Sequence, residues 1–191
     1  MNRRSAIAAL GLCFALGAPA FAAELAPKQQ ALLAARVLAY DRNLKRRSSG
    51  KVAAIAVLYQ EGDQASESQS LDMSSALEEL TASATIDELP VRVATIAYNG
   101  ATELDKKLLQ LHPVALYVCP GMGDVLGAVS AVARKRAILT ITSTGAYVKA
   151  GLSIGLLRLE ERPLIVVNLP AARLEGADLD AALLRIAEVL K

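Results

Sequence analysis

Residues with the chemistry to bind or react gather in three short stretches of this 191-residue chain. The first is Tyr59-Gln60, followed by Glu61-Gly62-Asp63. The second is Cys119-Pro120-Gly121-Met122-Gly123. The third is Ser143-Thr144, followed by Gly145. Each comes directly after a run of apolar residues, so each reads as the loop at the carboxyl end of a buried strand. Open α/β sheets bind their ligands at that edge. Tyr59, Gln60, Pro120, Gly121, Met122, Gly123, Ser143 and Thr144 are therefore the candidate lining of a ligand or partner crevice. Amides exposed by glycine can cradle an anion, so Gly121-Met122-Gly123 is a candidate for a phosphate, sulfonate or carboxylate. It is not a P-loop, because no lysine and Ser/Thr pair follows. It is not a full dinucleotide fingerprint either, since the third glycine, Gly127, arrives one residue late. Its bland role is a turn that needs glycine for its backbone angles.

Covalent and metal chemistry find little support. Ser143 and Thr144 have no histidine and acid at a recognisable spacing. Glu78-Glu79, Asp87-Glu88 and Glu160-Glu161 are adjacent in sequence, point apart on regular elements and read as solvated faces. The single histidine, His112, precedes Pro113 and reads as a loop residue rather than a metal ligand. No metal and no cofactor is expected, and an enzyme is the least favoured class.

The elements that must position these loops follow from hydrophobic periodicity. Residues 52–59 and 114–118 are nearly all apolar, as in strands covered on both faces. Residues 91–98 alternate and fit a strand nearer the sheet edge. Residues 137–142 form a fourth strand. Helices are predicted over 28–48, 66–81, 102–111 and 124–135, with Ser68 and Ser70 as caps of the second. The strands at 152–159 and 163–169 are separated only by Glu160-Glu161-Arg162. That gap is too short for a helical crossover, so the pair is an antiparallel hairpin. A short helical turn over 170–174 and a last helix over 179–190, capped by Asp178, complete the chain. The resulting fold class is α/β: one three-layer domain whose mostly parallel sheet, in order about 2-1-3-4, is extended by a C-terminal antiparallel hairpin.

Residues 1–22 are read as a secretory signal peptide and 23–191 as the single domain. Asn2-Arg3-Arg4 is a basic head, residues 6–16 are an apolar core, and Ala20-Phe21-Ala22 has small residues at cleavage spacing. The core is well short of the ~20 residues a spanning helix needs. Of 21 basic and 19 acidic residues, Arg3 and Arg4 leave with the leader, so the two signs become equal. Neither nucleic acid nor an anionic membrane is called for as a partner. Cys119 is the one cysteine that remains. It reads as a small residue closing a buried strand; an intermolecular disulfide stays open, an internal one does not.

By the fourth strand a resemblance emerges. Residues 137–142, then 147–155 with Gly151, Ile154 and Gly155, then 164–172 with Asn168-Leu169, are similar to the carboxyl-terminal half of the YfiR/HmsC family. Tyr40-Asp41-Arg42-Asn43-Leu44 resembles a helix that precedes the first strand in one branch. The resemblance implies a small periplasmic protein with the fold above. Its best-understood relatives hold the periplasmic domain of a membrane-bound diguanylate cyclase inactive, restraining cyclic-di-GMP signalling. They use paired cysteines, unlike this chain. The expectation is a periplasmic, non-enzymatic regulatory module that binds a membrane signalling protein. The alternative is a small-solute binding protein related to transporter components. A small anion or solute as ligand and a homodimer are left open.

Overall fold

Strand β1 (Ala53–Tyr59) is buried over all but its last residue, and the rest of the sheet is built outward from it. The computed structural model describes residues 24–48 and 51–191; the predicted signal peptide lies outside the described residues. Strand β2 (Val91–Ala97) flanks β1 on one side and β3 (Ala115–Val118) on the other, both in parallel. Next come β4 (Leu139–Thr142) and β5 (Ile154–Leu159), also parallel. Strand β6 (Arg162–Asn168) turns back antiparallel to β5. Among the described residues the sheet has seven strands in the order β2-β1-β3-β4-β5-β6-β7, with β7 at Glu188–Leu190. The predicted order and the hairpin are both present, and β2 is the edge strand its alternation implies.

Alternate residues of the central strands feed two separate cores, which is what makes the domain three-layered. Ile55, Val57, Ala115, Tyr117 and Ile141 face helices α1 (Pro27–Ala39) and α3 (Gln64–Thr81). Ala56, Leu58, Leu116 and Val118 face α4 (Ala101–Leu111) and α5 (Leu126–Arg136). A run apolar at every position is required to satisfy both sides, and β1 and β3 have one.

Three predicted elements differ. The helix over 28–48 breaks in two, α1 and α2 (Leu44–Arg47). Asp41 breaks it: its carboxylate accepts from the Asn43 amide at 3.0 Å and the Asp178 amide at 2.9 Å, and pairs with the buried Arg47 guanidinium. A short acidic side chain that binds nearby amides competes with the helix ladder. Residues 145–149, read as a connection, form helix α6 (Gly145–Lys149). The last predicted helix is cut to α8 (Ala181–Ile186), capped by Asp180 rather than Asp178; beyond it β7 pairs in parallel with β6. The open edge of β6 recruits that strand, overriding the helical spacing. The predicted turn over 170–174 is helix α7 (Leu169–Leu174), capped by Asn168.

Candidate functional site

The carboxyl edge of the sheet is built from the three loops singled out above. After β1, Gln60 N–H donates to Ser66 Oγ at 2.9 Å and Gly62 N–H to Glu67 Oε1 at 2.8 Å. The cap of α3 is Asp63, not Ser68 or Ser70: its Oδ1 accepts from the Ser66 amide at 2.9 Å. After β3, Gly121 adopts φ +81° and Met122 is fully buried, its amide donating to the Tyr147 hydroxyl at 2.9 Å. After β4, Thr142 Oγ1 donates to Val118 O at 3.0 Å and accepts from the Thr144 amide at 3.2 Å.

The first two loops touch directly. A Cβ on Gly121 would lie 2.7 Å from Asp63 Oδ2, so only glycine leaves room for the carboxylate. This contact closes the centre of the predicted crevice. It also places a carboxylate where the anion cradle would need to be empty, and the Met122 amide is already used. Gly121-Met122-Gly123 is therefore a structural turn.

Open space remains on either side of the turn. Toward β2, a cavity of about 230 Å³ is lined by Tyr59, Glu61, Glu67, Ser70, Leu71 and Thr95. Toward β5, a cavity of about 320 Å³ is lined by Ser143, Thr144, Gly145, Leu156, Leu157 and Arg158, with Glu24 and Leu25. Of the candidate residues, Tyr59 borders the first and Ser143 and Thr144 the second. Gln60, Pro120, Gly121, Met122 and Gly123 line neither, so the structure does not bring the eight candidates into one crevice.

Beneath the second cavity lies a buried polar cluster that periodicity does not reveal. The Tyr117 hydroxyl accepts from Gln69 Nε2 at 2.8 Å and donates to Gln30 Oε1. Gln30 in turn donates to Leu25 O at 2.7 Å, holding the segment ahead of α1 against the cavity. Burial pushes the Tyr117 phenol up. The Ser143 hydroxyl is buried beside the Tyr117 hydroxyl, near enough to ease its ionisation but without a well-aligned hydrogen bond of its own. Its place directly after a buried strand was the only signal available in the sequence. Glu24, on the cavity wall, has its carboxyl raised by burial.

Cys119 is fully buried, and burial, followed by the charge of Glu24, pushes its thiol up to about 12. At neutral pH it is a protonated thiol, unsuited to nucleophilic attack and out of reach of a partner's cysteine. Glu175, at the opposite edge of the sheet, is also fully buried. Its carboxylate accepts from Thr140 N at 2.7 Å, Thr140 Oγ1 at 2.8 Å and Ser153 Oγ, and burial raises it to about 7. Among the described residues, no group of three or more His, Cys, Asp or Glu is placed to hold a metal. Among them too, no helix is long and apolar enough to cross a membrane.

Solved structures share this architecture at low sequence identity, which shows the fold alone. An ABC domain from Streptococcus pneumoniae, in complex with L-Trp, aligns with TM-score 0.61 at 14% identity over 86% of this chain and 62% of its own. A conserved domain protein from Vibrio cholerae aligns with TM-score 0.58 at 13% identity over 86% of this chain and 60% of its own. A ligand-free, open substrate-binding protein with adhesive properties from Clostridium difficile aligns with TM-score 0.52 at 15% identity over 78% and 58%. The chain thus spans about 60% of the length of these structures. Among curated proteins none matches in sequence. Residues 57–188, from within β1 to the start of β7, match the family profile described as YfiR/HmsC-like, and the chain belongs to that family.

Proposed function

We propose that this protein is a periplasmic, non-enzymatic regulatory module that binds the periplasmic domain of a membrane-bound signalling protein such as a diguanylate cyclase. It would act by preferring one conformational state of that partner and so shifting its equilibrium. The observation that carries this reading is the family match over residues 57–188. The inert, buried Cys119 thiol and the closed Gly121 turn fit a domain that recognises rather than reacts. The test is cellular. Deleting the gene is expected to raise cyclic-di-GMP, and a plasmid-borne copy to restore it. An unchanged level in the deletion strain rejects the reading.

A second reading, a small-solute binding protein, is favoured by the cavity lined by Ser143 and Thr144. The substrate-binding architecture of the Clostridium difficile neighbour supports it at the level of fold. Thermal-shift screening against amino acids, carboxylates and phosphates separates the two. A micromolar ligand abolished by Ser143→Leu supports the solute reading, and a blank screen together with the cyclic-di-GMP response removes it.

A further inference from the structure

The amino-terminal edge of the sheet carries a groove that the reading above does not use. Helices α4 and α5 end there, each on a non-glycine residue in the left-handed region: His112 (φ 46°, ψ 51°) and Ala137 (φ 54°, ψ 47°). The groove has two parts joined at His112. One, about 280 Å³, takes Arg47, Lys135 and Arg136 in its wall; the other, about 290 Å³, takes Lys51 and Arg92. Among the described residues no carboxylate lines either part. The cavities at the carboxyl edge, by contrast, are lined by Glu61 and Glu67 on one side and Glu24 on the other.

Part of this charge has a structural task. Helix carboxyl ends are partially negative, and cations there are expected. Arg92 Nη2 donates to Leu111 O at 3.3 Å, and Arg47 donates to Val114 O and Ala137 O while pairing with buried Asp41. Arg136 and Lys135 share Asp105 and hold its carboxyl well below the usual range. One charge of that pair remains uncompensated, as do Lys51 and Arg92. Lys51, Lys135 and His112 are exposed to the solvent that fills the groove.

We infer that this groove binds a multivalent oxyanion, specifically a phosphorylated small molecule, with Lys51 in one part, Lys135 in the other and His112 between them. A lone carboxylate ligand would be matched best by a free, planar guanidinium fork, but the forks of Arg47 and Arg136 are engaged by carboxylates and that of Arg92 is turned to the Leu111 carbonyl. No carboxylate pairs with Lys51 among the described residues, and Lys135 only shares Asp105 with Arg136; both ammonium groups act as point charges, which suit the tetrahedral oxygens of phosphate. Two parts with separate cations suit a ligand with more than one negative group. The inference stands apart from the regulatory reading and from the cavity at Ser143.

The experiment is calorimetric titration of the purified protein with inorganic pyrophosphate, and with phosphate and citrate at matched ionic strength. One saturable site for pyrophosphate is expected, with phosphate and citrate weaker. Lys51→Gln and Lys135→Gln are each expected to weaken binding about tenfold while leaving the melting temperature unchanged. No saturable binding overturns the site. Citrate binding as tightly as pyrophosphate overturns the ligand class. Wild-type affinity in both lysine variants, or amide NMR shifts on pyrophosphate addition that avoid Lys51, His112 and Lys135, overturns its location.

Discussion

Asp63 fills the space beside Gly121: its Oδ2 lies 2.7 Å from where a Cβ on that glycine would be. The same carboxylate caps α3 through the Ser66 amide, so one side chain both starts a helix and closes the centre of the carboxyl edge. Gly121→Ala is expected to destabilise the fold by about 1–3 kcal/mol, combining left-handed strain with the clash. Asp63→Ala alone is expected to cost about 1 kcal/mol through loss of the cap. The double variant should cost less than the sum, because removing the carboxylate makes room for the alanine. Urea denaturation of the four proteins measures this coupling, and strict additivity would remove the contact from the account.

Glu175 should give the stability a pH dependence opposite to that of a salt-bridged carboxylate. Burial raises its carboxyl from 4.5 to about 7, outweighing the hydrogen bonds from Ser153 and Thr140 and the charge of Arg134. The folded state therefore holds the proton more tightly than the unfolded chain. Its favourable contribution is fully present below pH 4.5 and is lost as pH rises to about 7. The size is of order 3 kcal/mol. Glu175→Gln should flatten this slope between pH 5 and 7.5 in chemical denaturation, and an unchanged slope would rule the group out as its source.

Cys119 should not react with a thiol reagent such as DTNB at pH 8 in the folded protein and should react at once in urea. The cause is its complete burial and a thiol pushed up to about 12. Cys119→Ala is expected to cost about 1 kcal/mol through a small cavity and to leave partner binding unaltered. Rapid native labelling would show instead that the end of β3 opens.

Tyr117→Phe removes the hydroxyl that links Gln69 to buried Gln30 and leaves only the weaker direct contact between the two amides, at 3.3 Å. A loss of about 1–3 kcal/mol is expected. Because Gln30 also ties down Leu25, amide exchange in the segment at 25–30 should rise more than exchange in β1. Equal change in both would mean that the cluster does not hold this segment.

The parallel core was legible because β1 and β3 bury both faces, which forces apolar residues at every position. The hairpin was legible because three residues cannot make a crossover. What the pattern missed was decided by partners far along the chain. Asp41 breaks a helical run because the Asp178 amide comes to meet it. Strand β7 replaces the end of the last predicted helix because β6 offers an edge. Nothing in the spacing around Glu175 marks it as buried, yet Thr140 and Ser153 enclose it. The candidate residues lie at the carboxyl edge of the sheet, whose centre Asp63 fills. Glycine spacing suggests a cradle, while the side chain that fills it, Asp63, belongs to another loop.

The proposed regulatory role requires a partner, and the most direct measurement adds one. A membrane-bound diguanylate cyclase with a periplasmic domain, from the same organism and placed in nanodiscs that expose both faces, would be assayed for cyclic-di-GMP synthesis while the purified protein is titrated in. The expected result is a saturable fall in rate at constant substrate, retained by Cys119→Ala. A rate that stays constant up to a large excess of folded protein would contradict the regulatory account.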